Sequence, residues 1–117
     1  MLEGKILEIR TYRISAGGRA EFDRRFREGA GPMLERYGID VVAFGPSIDD
    51  EDHYALIRAF DSLEHMNQQE GAFYGSDEWR TEQRPGIMAL IETYHTVVLE
   101  TTADGVEALR RSLASAR

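Results

Sequence analysis

The sequence has 117 residues, of which 42% are hydrophobic and 30% are charged, and we expect one globular domain over residues 1–117. A formal net charge of −7 disfavours nucleic acids and anionic membrane surfaces as partners, and no apolar run approaches the roughly 20 residues of a membrane-spanning helix. With no cysteine, the chain has no disulfide and no cysteine-ligated metal site. The first residues lack the basic and apolar regions of a signal peptide, which predicts a cytoplasmic protein.

The first elements predicted along the chain are a strand and a long helix. Residues 6–12 are rich in β-branched and aromatic types, which favour a strand. From Arg19 the apolar residues recur at helical spacing. Pro32 lacks an amide N–H, so we expect a kink or a break within residues 29–32, and we interpret it as a packing feature.

Two strands and a turn are predicted next. Gly38 is well placed to end the helix, and residues 39–44 then form the second strand. The third strand is predicted over His53–Phe60. The acidic residues 49–52 between them lack the ligand pattern of a calcium loop, so we expect a solvated hairpin turn.

A second helix is predicted over residues 62–69. Asp61 and the glutamate three residues later match a capping box, with Asp61 as the capping residue. Gly71 and Gly75 are expected to end this helix, because glycine lowers helix stability.

The last part of the chain predicts a short helix, a strand and a C-terminal helix. Ser76 can cap the short helix, which we expect to end before Pro85. Residues 90–101 predict the fourth strand, and residues 104–115 predict an amphipathic helix.

The order βαββαβ plus a C-terminal helix is typical of a ferredoxin-like α+β sandwich with an antiparallel sheet. In that fold helices cover only one face of the sheet, yet the alternation here makes both faces apolar, with Leu7 and Ile9 opposite Tyr12. A homodimer packed sheet against sheet would cover the second face. We expect Tyr54 and Leu56 to lie at that interface.

In the order of its motifs, the sequence resembles the NIPSNAP family of the dimeric α/β-barrel superfamily, over roughly residues 6–99. The motifs are Glu8-Ile9-Arg10-Thr11-Tyr12, then Glu21-Phe22 and Phe26, then Pro32 followed by Gly38, and Phe73-Tyr74 with Trp79. The resemblance implies a ferredoxin-like protomer that forms a homodimeric barrel. It implies no settled reaction, since most NIPSNAP members lack an assigned activity. The wider superfamily includes cofactor-independent monooxygenases acting on polycyclic phenols, haem-degrading enzymes and stress-response proteins.

The first candidate site lies on the first strand, where Arg10 shares a face with Glu8 and Tyr12, and where Arg58 of the third strand could lie opposite. The favoured interpretation is a buried ion-pair network that fixes strand register at the dimer interface. The alternative is a site in which Arg10 binds a carboxylate, phenolate or enolate while Tyr12 donates a hydrogen bond.

The second candidate is His95, which is either a hydrogen-bonded structural residue or a general base acting together with Arg10 and Tyr12. No two histidines have metal-ligand spacing, so a metal site has no support in the sequence, although a haem would need only one axial ligand. The prediction is no metal and no cofactor. The aromatic residues Phe73, Tyr74 and Trp79 either anchor their segment to the domain or form the wall of a cleft. The candidates for substrate binding are Phe73, Tyr74, Trp79, Tyr94 and Arg58.

Three functions follow from these residues. The favoured one is a dimeric NIPSNAP-like protein of undetermined activity that binds a small hydrophobic or aromatic molecule between sheet and helices. The alternative is a cofactor-independent monooxygenase or isomerase-like enzyme acting on a phenolic or polycyclic substrate, with His95 as the base. An RNA-binding module is disfavoured, because His53–Phe60 lacks the RNA-recognition pattern and the net charge has the wrong sign.

Overall fold

A four-stranded antiparallel sheet organises the protein in the computed structural model, which describes residues 4–114. The strands are β1 (Gly4–Ile14), β2 (Asp40–Pro46), β3 (His53–Phe60) and β4 (Ile91–Thr102), in the spatial order β2-β3-β1-β4. This is the arrangement of a ferredoxin-like α+β fold, which confirms the predicted fold class. Residues 1–3, and residue 115 at the predicted end of the C-terminal helix, lie outside the described residues.

Helices follow β1, β3 and β4 along the chain. They are α1 (Arg19–Arg25) and α2 (Gly31–Arg36), joined by a π-helical turn (Phe26–Ala30); α3 (Leu63–Tyr74); a second π-helical turn (Trp79–Gln83) leading into α4 (Arg84–Met88); and α5 (Ala103–Ala114). Among residues 4–114, no helix is both long and apolar enough to cross a membrane.

The predicted break near Pro32 is a widened helical turn. The N–H of Gly31 bonds to the carbonyl of Phe26, five residues earlier, and the helix continues through Pro32. In a π-helical turn the hydrogen bonds span five residues instead of four, so one backbone N–H position next to it has no partner in the helix. Proline, which lacks an N–H, is accommodated at such a position. A Cβ at Gly29 would meet the flexible end of the Gln83 side chain, and one at Gly31 would lie 2.9 Å from the backbone carbonyl oxygen of Phe26, so these small residues fit a close contact, in keeping with the packing interpretation.

The predicted limits of the second helix were wrong at both ends. Its N-terminal cap is Ser62, whose hydroxyl accepts the N–H of His65 at 3.0 Å, whereas Asp61 pairs with Lys5. The helix runs through Gly71 and ends at Gly75. Glycine within a helix lowers the stability of the helix by only about 1 kcal/mol relative to alanine, and the burial of Phe73 offsets this loss.

The short helix also continues beyond its predicted end. Ser76 caps its start by accepting the N–H of Trp79 at 3.1 Å, as expected. The chain then passes from the second π-helical turn into α4, with Pro85 in the first turn of that helix. Proline is tolerated there because N–H groups in a first turn have no partner within the helix. Ile87 and Met88 therefore lie on a helix that the sequence did not predict.

The main core lies between the helices and one face of the sheet. Tyr12 pairs with Tyr54 in the register of β1 and β3, and both are buried among aromatic residues of α1, including Phe22. Tyr54 and Leu56, expected at a dimer interface, are therefore under the helices of the same protomer. The sequence predicted the alternation of the two faces correctly but assigned the helices to the wrong one.

The second face of the sheet is partly covered by α5. Val106 of this helix packs with Leu7, Val42 and Ala59 in a smaller apolar cluster. The helices of a βαββαβ unit would leave this face of the sheet uncovered. β4 remains largely uncovered on this side, where Val97 and Leu99 are about half exposed. We call this surface the open face.

Candidate functional site

A buried ion-pair cluster lies between the sheet and α3. Glu8 and Arg58 pair across β1 and β3 and are almost inaccessible to solvent, at 1% and 0% exposure. The Arg58 Nε donates to the Glu8 carboxylate at 2.6 Å, and its Nη2 lies 3.2 Å from the carboxyl of Glu70 on α3. Buried charges of this kind persist only where they are paired and hydrogen-bonded. The predicted network therefore exists, but within one protomer and not at a dimer interface.

The two carboxyl groups of this cluster have opposite pKa shifts. Burial, followed by the hydrogen bond and negative charge of Glu8, raises the pKa of Glu70 from 4.5 to about 7. Burial also opposes ionisation of Glu8, but the hydrogen bond with Glu70 and the guanidinium charges of Arg58 and Arg10 outweigh it and lower its pKa. Below neutral pH the proton of the pair therefore stays on Glu70, whose O–H donates a hydrogen bond to the ionised Glu8.

Arg10 and Tyr74 join the cluster to a cleft. The Tyr74 hydroxyl accepts a hydrogen bond from Arg58 at 2.8 Å and one from Arg10 at 3.2 Å. The Arg10 guanidinium also lies 5.4 Å from the ring centre of Tyr94, within the range of a cation–π contact. Burial raises the pKa of the Tyr12 phenol, so that residue is a neutral hydrogen-bonding group at physiological pH.

The cleft has a volume of about 400 Å³ and lies between the sheet and the segment that carries the second π-helical turn and α4. Its wall is largely aromatic and aliphatic, with guanidinium and carboxyl groups at the floor and rim. The lining residues are Arg10, Tyr12, Glu70, Tyr74, Trp79, Arg80, Arg84, Ile87, Met88, Ile91 and Tyr94.

Packing and an ion pair hold the outer wall of the cleft in place. The Trp79 ring meets that of Tyr74 edge to face at 5.0 Å and contacts Phe73 at 5.3 Å. Phe73 is 1% exposed and contacts Tyr37 on its other side. At the surface, the carboxylate of Glu78 pairs with a guanidinium of α2 at 2.6 Å. Trp79 therefore both anchors the segment and forms part of the wall.

The structure brings most of the predicted site residues to this cleft. Arg10, Tyr12, Tyr74, Trp79 and Tyr94 line it directly. Two further predicted residues lie behind the wall and support it: Phe73 packs against Trp79, and Arg58 bonds the hydroxyl of Tyr74.

His95 is not part of the cleft. It pairs with Thr11 in the register of β1 and β4, whereas Tyr94 pairs with Tyr12. Because successive strand residues point to opposite faces, the His95 side chain lies on the open face, across the sheet from Arg10. The predicted combination of His95 with Arg10 and Tyr12 does not form within one protomer.

Several lining residues were missed. Arg84, Ile87 and Met88 have the i, i+3, i+4 spacing of one helical face, which could have been recognised had the helix not been predicted to end before Pro85. Glu70 lies just beyond the predicted end of the second helix and was overlooked for the same reason. Among residues 4–114, no group of histidine, aspartate and glutamate side chains is arranged to hold a metal ion.

A family model described as NIPSNAP matches residues 7–104, most of the chain. The chain belongs to the NIPSNAP family. No curated protein matches it significantly.

Two solved structures of NIPSNAP proteins share the fold. An uncharacterised NIPSNAP domain protein from Burkholderia xenovorans is 22% identical with a TM-score of 0.75, covering 84% of this chain and 95% of its own. A NIPSNAP family protein of unknown function from Agrobacterium tumefaciens is 24% identical with a TM-score of 0.76, covering 86% and 90%.

The fold also extends beyond the NIPSNAP proteins. A structure from Nitrosomonas europaea, proposed to be an antibiotic biosynthesis monooxygenase, is 14% identical with a TM-score of 0.66, covering 86% of this chain and 92% of its own. At this identity the similarity concerns the fold alone and assigns no reaction to this NIPSNAP protein.

Proposed function

We propose that this NIPSNAP protein binds a small molecule with a flat or hydrophobic body in the cleft between the sheet and the helices. The observation that supports this is the cleft itself, which has about 400 Å³ and an aromatic wall. Pockets for small organic ligands generally measure roughly 300–1,000 Å³ and combine apolar walls with a few fixed polar groups. A molecule of one or two rings suits the lower part of this range.

The floor of the cleft supports the same function. Arg10 and Tyr74 are held by the buried cluster, so their polar groups are oriented before a ligand arrives. Preorganisation of this kind lowers the entropic cost of binding.

The alternative of a cofactor-independent oxygenase acting on a phenolic substrate has weaker support. The fold similarity to the Nitrosomonas structure is compatible with it. Its proposed base, however, was His95, which lies on the open face and outside the cleft. Binding is therefore the function that the geometry favours.

We also propose that the protein forms a homodimer through the open face. Val97 and Leu99 of β4 are about half exposed there, beside the partly buried Ile9 and Ile57. A contiguous apolar surface of this kind is typical of an interaction site, and a two-fold interface would use it on both protomers.

The binding proposal can be tested with 2-naphthol as the probe. Trp79 is the single tryptophan of the chain, so its indole N–H signal in a ¹⁵N–¹H spectrum reports on the cleft wall without ambiguity. We expect a saturable shift of this signal as 2-naphthol is added. Tyr94→Ala should weaken binding about fivefold, because an aromatic contact contributes about 1 kcal/mol.

Val98→Ala is the matched control, since Val98 lies on the same strand and does not line the cleft. It should leave the affinity for 2-naphthol unchanged. If the indole signal does not move up to the solubility limit of the probe, the proposal is wrong.

A further inference from the structure

One arginine of the cleft has no carboxylate partner. Nearly all the described arginines form an ion pair with an aspartate or glutamate; the exceptions within residues 4–114 are Arg84 and Arg111. Both residues are exposed, but Arg84 lies at the rim of the cleft and lines it, whereas Arg111 of α5 does not. Of the three arginines that line the cleft, Arg84 is therefore the one that forms no ion pair within residues 4–114.

The other guanidinium groups of the cleft show what distinguishes Arg84. Arg80 pairs with Asp77 at 2.5 Å, and Arg10 lies 3.6 Å from the carboxylate of Glu8. Their charges are therefore already compensated in part by protein groups. The charge of Arg84 is left for solvent or a ligand, and arginine binds carboxylates through two parallel hydrogen bonds.

Tyr74 adds a hydrogen-bond donor to the cleft. Its oxygen accepts from two guanidinium groups, those of Arg10 and Arg58, so both of its acceptor positions are occupied. Its own proton has no acceptor among the residues that the structure describes. A phenol polarised by two cations is a strong donor toward an acceptor on a ligand.

The carboxyl of Glu70 lines the cleft but does not cancel this positive charge below neutral pH. It faces Glu8 and Arg10 on β1, Arg58 on β3 and Tyr74 on its own helix. In that surrounding it stays protonated and neutral until the pH approaches about 7.

From these contacts we infer that the ligand of the cleft is an organic acid: an aromatic or otherwise hydrophobic carboxylate whose apolar body contacts the wall around Trp79 and whose carboxylate pairs with Arg84. The inference rests on the proposed binding function and specifies its ligand class. Arg84 is thus a specificity-determining residue, because it distinguishes an acid from a neutral molecule of the same shape.

The test compares 2-naphthoate with 2-naphthamide, which have similar shapes but differ in charge. Isothermal titration calorimetry should be carried out at low salt and slightly below neutral pH, so that Glu70 is mainly protonated. We expect 2-naphthoate to bind up to about fivefold more tightly than the amide, since an ion pair with an exposed arginine contributes up to about 1 kcal/mol. Arg84→Gln should remove that preference while leaving the affinity for the amide nearly unchanged.

Arg111→Gln is the matched control, because it removes the other arginine that has no carboxylate partner within residues 4–114, and it should keep the preference for the acid. If the amide binds as tightly as the acid, or if Arg84→Gln retains the preference, the ligand class is wrong although the cleft still binds a small molecule. If neither probe binds, the proposed function itself is wrong, so the two failures are distinguishable.

Discussion

Replacing Glu70 by glutamine should remove a pH dependence from the stability of the protein. In the native state, burial and then the neighbouring Glu8 raise the pKa of Glu70 from 4.5 to about 7. A glutamine keeps the size of the protonated carboxyl and can donate the same hydrogen bond to Glu8, but it cannot ionise. The variant therefore isolates the cost of charging this one group.

The size and sign of the effect follow from the two pKa values. Each pH unit between them corresponds to about 1.4 kcal/mol, so the full interval from 4.5 to about 7 gives roughly 3–4 kcal/mol. Because the native pKa is the higher one, the native state binds the proton more tightly than the unfolded chain does. This contribution to the free energy of unfolding is complete below about pH 4.5 and is lost as the pH rises through about 7.

Glu8 acts in a different pH range and does not obscure the measurement. Its native pKa is lowered, so its contribution is present above the ordinary value of 4.5 and is lost only as the pH falls below that value. Between about pH 5 and pH 8, the difference between the wild type and Glu70→Gln therefore reports on Glu70.

The assay is equilibrium unfolding in urea at several pH values between these limits. Relative to Glu70→Gln, the wild type should lose about 2–3 kcal/mol of unfolding free energy as the pH rises from about 5 to about 8. Glu64→Gln, an exposed change on the same helix, is the control and should follow the wild type. Parallel pH profiles for the wild type and Glu70→Gln would refute the assignment of the proton to Glu70.

Three further predictions concern the buried cluster, the open face and the cleft wall. Arg58→Ala should lower the free energy of unfolding by about 3–5 kcal/mol in urea titrations, because it leaves buried carboxyl groups unpaired. Arg13→Ala, which breaks an exposed ion pair, is the control and should lower it by less than about 1 kcal/mol. Val97→Asp should convert a homodimer to a monomer in light scattering and Ile48→Asp, in an exposed loop, should not; a dimer that survives Val97→Asp would count against the open face as the interface. Bound 2-naphthol should slow amide exchange within residues 71–85, and unchanged exchange at saturation would mean that this segment does not respond to the ligand.

The alternation of apolar residues was sufficient to predict the sheet but not which face the helices cover. Ile9 and Tyr12 were placed on opposite faces correctly, because side chains alternate strictly along a strand. Both faces are apolar, however, and local pattern does not say which of them packs against α1 and α3. Which face the helices cover depends on the direction in which the helical connections between β1 and β2 and between β3 and β4 cross the sheet. The same direction places Tyr54 in the core.

The cleft was predicted in part, and its missing residues have a common cause. Glycine and proline were taken to end helices at Gly71 and before Pro85, whereas tertiary packing carries the chain through both positions. Glu70 and Arg84, each next to one of these residues, were therefore overlooked. His95, in contrast, was included in the site wrongly. Tyr94 and His95 are adjacent in one strand, so their side chains point to opposite faces of the sheet and only one of them can face the cleft.

A crystal structure of the protein with bound 2-naphthoate would test the central claim most directly. The account predicts the naphthalene ring in the cleft against Trp79 and Tyr94, with the carboxylate paired to the guanidinium of Arg84. An empty cleft at saturating probe, or a probe seated on the open face near Val97, would contradict it.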